Sequence, residues 1–171
     1  VGARLTLVIG GARSGKSRYA ETLIGVLPPP WVYMATAQPF DDEMTARIAA
    51  HRARRGAGWT TVEAPRDLAE ALAAHRKSPI LIDCLTLWLS NLMLADADVG
   101  AEIERLERAL ATLAAPVILV ANEVGSGIVP DNALARRFRD QQGLLNQRIA
   151  ALADRVVLLV AGLPLVLKGS T

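Results

Sequence analysis

Gly10-Gly11-Ala12-Arg13-Ser14-Gly15-Lys16-Ser17 matches the pattern G-x-x-x-x-G-K-[ST] without a substitution. Arg4–Ile9 ahead of it reads as a strand, and Lys16–Gly25 after it as a helix. That context is what phosphate binding requires. The glycines let the backbone turn until several N–H groups converge on phosphate oxygens, and the positive end of the following helix adds attraction. Lys16 is then placed to reach β- and γ-phosphates, and the Ser17 hydroxyl to ligate Mg²⁺. A glycine turn that fits the pattern by chance is the plain alternative, and the strand before and helix after weigh against it.

Outward from this loop, short β-branched runs alternate with longer helical segments. Trp31–Ala35, Trp59–Val62, Pro79–Asp83, Pro116–Ala121, Arg155–Val160 and Leu163–Leu167 read as strands. Asp67–His75, Leu85–Leu94, Ala101–Leu113 and Ala133–Ala153 read as helices, and a further one runs from Asp41 and Asp42 to about Arg55. Such alternation predicts an α/β fold, a mostly parallel sheet flanked by helices on both faces, with ligands beyond the carboxyl ends of the strands. No repeat or linker interrupts it, so residues 1–171 are expected to form one domain.

Composition narrows the function classes. Nineteen basic residues against 17 acidic ones leave a net charge of +2, without the basic excess of a dedicated nucleic-acid binder. Aromatic residues are only 4%, so the core must be aliphatic. The lone Cys84 excludes an internal disulfide framework, is too little for a zinc site, and fits a reducing, cytoplasmic setting. Val1–Ile9 is too short for a signal peptide. The most apolar run, Leu85–Ala95, falls well short of the roughly 20 residues of a membrane span and reads as a buried helix or a subunit contact.

Two further features carry chemistry. Ile80-Leu81-Ile82-Asp83 is an apolar strand ending in an acid, as expected for a carboxylate that holds the metal from a strand neighbouring the phosphate loop. Asp83 could also cap the Leu85 helix, and the two roles are compatible. Glu123 is a second, less supported acid at a strand end. Arg47, His51 and Arg55 share one face at helical spacing, and Arg52 and Arg54 flank it. Nearby cations favour the neutral, nucleophilic imidazole. Such a histidine could attack phosphorus, with arginines stabilising the charge that develops. The alternative is a solvated basic face with an incidental histidine. His75 has no chemistry beside it. No N-K-x-D guanine-reading motif is present, Asn122-Glu123-Val124-Gly125 being the nearest stretch.

Taken together, Gly10–Arg18, Tyr33-Met34-Ala35-Thr36-Ala37, Asp42-Glu43-Met44 through His51, Trp59–Glu63, Asp83-Cys84-Leu85-Thr86, Asn122–Pro130 and Phe138-Arg139-Asp140 to Asn146-Gln147-Arg148 closely resemble the bifunctional adenosylcobinamide kinase / adenosylcobinamide-phosphate guanylyltransferase family of cobalamin biosynthesis. The resemblance spans nearly the whole chain. It implies a RecA-like P-loop fold, a three-layer sandwich, and a homotrimer with sites near subunit borders. It also implies two reactions: ATP or GTP phosphorylates adenosylcobinamide, and a histidine takes GMP from GTP and passes it to the phosphorylated corrinoid. Position by position, the guanylylated residue would be His51. Nucleotide contacts would come from Gly10, Gly11, Ala12, Arg13, Ser14, Gly15, Lys16, Ser17, Ala35, Thr36, Ala37, Arg52, Ala53, Arg54, Arg55, Glu63 and Asp83. Some relatives carry Glu where Asp83 stands, one methylene longer in reach. A plain small-molecule P-loop kinase without covalent chemistry and a nucleotide-gated, RecA-like binding module are the competing readings. The near-neutral charge and the lack of aromatic platforms oppose the second.

Overall fold

Leu5, Leu7 and Ile9 alternate along the first strand with Thr6 and Val8, and both sets are covered, because helices pack on each face of the sheet. The computed structural model describes residues 3–39, 42, 45, 46, 48, 49, 53 and 55–170. Their strands are β1 (Leu5–Gly10), β2 (Trp31–Ala35), β3 (Trp59–Glu63), β4 (Ile80–Asp83), β5 (Val117–Asn122), β6 (Arg155–Val160) and β7 (Leu163–Lys168). They join in one sheet of order β3-β2-β4-β5-β1-β6-β7. Every pairing is parallel except that of β6 with β7. The expected alternation of strand and helix is thus realised, with an antiparallel hairpin at one edge.

On one face lies α1 (Lys16–Gly25), whose Ala20 and Ile24 pack on Val8, Leu81, Ile118 and Val120. On the other lie α2 (Leu68–Ala74), α3 (Leu85–Leu94), α4 (Val99–Ala111) and α5 (Ala133–Leu152). Their Leu72, Leu89, Leu106 and Ile149 meet Leu7, Ile82 and Leu119. Side chains this deeply covered each contribute about 1.5–3 kcal/mol, and their sum, set against chain entropy, holds the three layers together. α4 starts two residues earlier than its apolar spacing suggests, because the Asp98 carboxylate accepts from Ala101 N–H and satisfies an orphan donor of the first turn. Asn132 caps α5 in the same way through Ala135 N–H.

The apolar Leu85–Leu94 segment resolves toward the interior. Leu85, Trp88, Leu89 and Leu92 are buried within the chain, and the Trp88 indole donates to the Arg66 carbonyl. Among the described residues no helix is long and apolar enough to cross a membrane.

Candidate functional site

The phosphate loop owes its shape to backbone conformations that few residues tolerate. Gly15 has φ +94° and precedes α1; Arg13 has φ +55°. At Gly10 a Cβ would lie 2.5 Å from the Leu159 carbonyl oxygen and 2.7 Å from Ser14 Oγ, so only glycine passes between β6 and the loop. The Gly10 carbonyl accepts from Glu123 N–H, which ties the loop to the end of β5. From the far side, Gly162 N–H donates to the Ser14 carbonyl at 3.0 Å, so the β6–β7 turn braces the loop as well.

Lys16 is buried, and its Nζ donates to the Gly11 carbonyl at 2.6 Å across the loop. Burial lowers its pKa, and the charges of Cys84 and Asp83 oppose that effect. An ammonium held by one carbonyl and, at 3.5 Å, by Ser14 Oγ gains strongly when phosphate oxygens arrive.

A cavity of about 1000 Å³ opens beside the loop at the carboxyl ends of the strands. Ala12, Arg13, Ser14, Gly15, Lys16 and Ser17 line it, as do Ala35, Ala37, Arg55 and Asp83. Ser17 and Asp83 bring a hydroxyl and a carboxylate to the same space, both hard oxygen donors of the kind Mg²⁺ takes. Asp83 does not sit on the strand beside β1, as expected from its sequence; β5 lies between. It still reaches the cavity, because α1 runs across β5 and β4 and carries the loop's side of the cavity toward β4. Nor does Asp83 cap α3: Cys84 occupies that position, without a side-chain cap bond, and Asp83 accepts a hydrogen bond from the Tyr33 hydroxyl at 3.1 Å.

Other expected contacts fall elsewhere. Thr36 has 0% exposure and is absent from the cavity lining. Its hydroxyl donates to the Cys84 carbonyl (2.7 Å) and accepts from Cys84 N–H (2.8 Å), while its own carbonyl accepts from Asn91 Nδ2. Strand alternation turns Thr36 inward, away from the face that Ala35 and Ala37 present. Glu63 is exposed at the edge strand and does not line the cavity. Gly10 and Gly11 shape the loop from behind, and Ala53 is exposed and helical, outside the lining. Glu123 turns back on its own loop and accepts from Gly125 N–H. His51, Arg52, Arg54 and Arg47 lie outside the described residues.

Arg55 is not part of the helix expected to run up to it. It stands in irregular backbone before Gly56, with its guanidinium 3.6 Å over the Tyr33 ring. Its Nη1 is buried without a hydrogen-bond partner among the described residues, an expensive state for a charged donor unless something else completes it. Asp42, Thr45, Ala46, Ile48, Ala49 and Ala53 are helical. Ile48 lines the cavity.

Tyr33, Tyr19, Thr22, Leu87, Asn122 and Gly162 also line the cavity without having been singled out as site residues from sequence. Tyr33 had a signal: it shares strand parity with Ala35. Burial first, and the Asp83 charge next, push its phenol far above the ordinary tyrosine value, so it remains a donor to the carboxylate. Burial likewise raises the Cys84 thiol to about 11, with the Asp83 charge adding to the effect.

Comparison with known proteins finds relatives over nearly the whole chain. A family model described as cobinamide kinase / cobinamide phosphate guanyltransferase matches residues 6–167. The chain is 49% identical over 167 residues to the bifunctional adenosylcobalamin biosynthesis protein CobP of Pseudomonas aeruginosa, covering 95% of this chain and 96% of that one. It is 44% identical over 181 residues to the bifunctional adenosylcobalamin biosynthesis protein CobU of Salmonella typhimurium, covering 96% and 99%. Among solved structures, an ATPase from the type III secretion system of pathogenic bacteria superposes with a TM-score of 0.57 at 12% identity, over 92% of this chain and 51% of that one, a likeness of fold alone.

Proposed function

This chain belongs to the cobinamide kinase / cobinamide phosphate guanyltransferase family, a transferase family of cobalamin biosynthesis, and from that premise we propose that it carries out two successive transfers at the cavity beside the phosphate loop. In the first, the γ-phosphate of ATP or GTP passes to the free hydroxyl of adenosylcobinamide, and the nucleoside diphosphate leaves. In the second, the His51 imidazole attacks the α-phosphorus of GTP, pyrophosphate departs, and GMP stays bound to the ring nitrogen. The phosphate of adenosylcobinamide-phosphate then attacks that GMP, giving adenosylcobinamide-GDP and freeing the histidine.

The observation that carries this reading is the composition of one cavity. Lys16, Ser17 and Asp83 meet there, and so do Ile48 and Arg55, which stand three residues before and four after His51. The described residues nearest His51 in the cavity lining thus come from before and after it in sequence, which supports this reading. Lys16 neutralises charge on the transferred phosphoryl group, and the loop N–H groups hold the remaining phosphates in line. Ser17 and Asp83 would hold Mg²⁺. Mg²⁺ held there would supply neutralisation of phosphate charge. Arg55, with a donor unpaired, would meet the nucleotide; Arg52 and Arg54 are proposed partners in the same task.

The test is incubation with α-labelled GTP and Mg²⁺ followed by denaturation. Label held in an acid-labile, base-stable bond in the wild type and lost in His51→Ala supports the phosphoramidate. Equal label in both overturns it and leaves the plain kinase. Lys16→Ala is expected to abolish phosphorylation of adenosylcobinamide.

We also propose assembly as a homotrimer. Val160, Leu163, Leu165 and Leu167 lie more than half exposed on the β6–β7 hairpin, an apolar surface that a second copy could cover. Light scattering that returns the monomer mass at micromolar concentration would exclude it.

A further inference from the structure

We propose that Tyr33 is a positioning residue with two separable tasks, its hydroxyl aiming the Asp83 carboxylate at the metal and its ring carrying Arg55. The inference rests on the reading of Asp83 as a metal-holding carboxylate.

The geometry derives from strand register. Ala35 stands opposite Asp83 and Tyr33 opposite Leu81 on the parallel pair β2 and β4. Residues 33, 35, 81 and 83 therefore point to the same face of the sheet, the face on which α1 and the phosphate loop lie. From one register position back, the phenol reaches forward to Asp83 Oδ2 at 3.1 Å. Two residues of strand separate the aromatic anchor from the cavity mouth, about 6–7 Å, which is the span a tyrosine side chain bridges and a shorter polar residue does not. The hydroxyl occupies one carboxylate oxygen and restricts the plane of the group, and among the described residues no hydrogen bond is made to the other oxygen. A terminal carboxylate torsion is otherwise broad.

The same ring serves Arg55 on its face. Its guanidinium lies 3.6 Å from the centroid, and Trp59 meets the ring edge-on at 6.2 Å, itself 5.4 Å from Trp31. Tyr33 is 5% exposed, so its ring is packed on nearly all sides. Arg55 stands in irregular backbone, so the aromatic face supplies the order that a helix would have provided. Its unpartnered Nη1 and the aimed carboxylate thus share one support. The cation stacks on the ring face and the anion accepts from the ring's hydroxyl, ready for a phosphate and its counter-ion respectively.

The experiment measures affinity for the α,β-methylene analogue of GTP, which resists guanylyl transfer, by calorimetry in Mg²⁺ and in EDTA. The ratio of the two affinities is the metal-dependent increment. Tyr33→Phe keeps the ring and removes the hydroxyl, so the increment is expected to fall about tenfold, with metal-free affinity unchanged. Tyr33→Leu removes both supports, so metal-free affinity is expected to fall as well, by about fivefold, as Arg55 loses its place. An increment unchanged in Tyr33→Phe but abolished in Asp83→Asn overturns the positioning role and leaves the metal reading standing. An increment unchanged in Asp83→Asn overturns the metal reading and this inference with it. Equal losses in Mg²⁺ and EDTA for Tyr33→Phe assign Tyr33 a merely structural part and also overturn the proposal.

Discussion

Replacing Thr36 by valine keeps the shape of the side chain and removes one oxygen. That oxygen makes two hydrogen bonds, both to the backbone of Cys84 and both fully buried. The consequences of losing them differ. The Cys84 carbonyl retains a bond from Trp88 N–H at 3.2 Å, so it keeps a partner. Cys84 N–H has no other acceptor among the bonds described, and in the valine variant it would be an orphan donor in the interior. Leaving such a group unsatisfied costs about 1–3 kcal/mol, and the lost donor bond adds roughly 1 more, giving a destabilisation of about 3 kcal/mol. For a chain of this size that lowers Tm on the order of 10 °C. Thr36→Ser keeps the hydroxyl and loses only a methyl, so it should cost about 1 kcal/mol. Urea denaturation of the three proteins, followed by circular dichroism, measures the ranking. A valine variant as stable as the wild type, or a serine variant less stable than the valine one, would refute the assignment of Thr36 as the clamp between β2 and β4. It would also reopen its reading as a direct nucleotide contact.

Three more outcomes follow from the same geometry. Gly10→Ala places a methyl 2.5 Å from a backbone oxygen of β6, where no rotamer relieves it, so a loss of about 2–3 kcal/mol is expected in urea unfolding; a loss under about 0.5 kcal/mol would contradict the close approach of β1 and β6. Cys84 is buried with its thiol raised to about 11, so protons leave it only at higher pH and its thiolate fraction at pH 8 is roughly a hundredfold below that of an ordinary thiol. Iodoacetamide should spare the native chain and modify the denatured one, whereas rapid native labelling at pH 8 would show an open site. Asp154 accepts from both Arg4 N–H and Leu5 N–H at the entry to β1, and Asp154→Ala should lower stability by about 2 kcal/mol in the same urea assay, an unchanged midpoint excluding that anchoring role.

The fold was legible because its signals were local and agreed with one another. The glycine loop marked the end of β1 and the start of α1, and apolar runs with turn residues between them placed the other strands within a residue or two. What could not be read locally was the order of the strands. Asp83 appeared to end a strand beside β1, and only the insertion of β5 between them shows otherwise. Strand order depends on which helices cover which face, a sum over the whole chain. The same holds for Gly162, which braces the phosphate loop from a hairpin nearly 150 residues away and carries no motif of its own. The acids at 41 and 42 and the glycines at 56 and 58 read as the bounds of a helix running to about Arg55, yet Arg55 itself stands in irregular backbone with its guanidinium over the Tyr33 ring.

At the end of β2 the corrections share one cause. Tyr33-Met34-Ala35-Thr36-Ala37 holds two sets of side chains, and a period of two separates them. Tyr33, Ala35 and Ala37 line the cavity; Met34 and Thr36 are fully buried on the other side. The small residues leave room for a ligand where the strand meets the phosphate loop, and the tyrosine behind them supplies the directional contact that two alanines cannot. Thr36, turned inward, spends its hydroxyl on joining the ends of two strands. A residue of this stretch can therefore matter to nucleotide binding without touching a nucleotide. Substituting Ala37 by a larger residue should block binding and change stability little, since it lines the cavity outside the packed core, whereas Ala35 also packs against the buried cluster on the α1 face. Substituting Thr36 should do the reverse, and a variant pair that failed to separate in this way would show that the strand does not divide its work by parity.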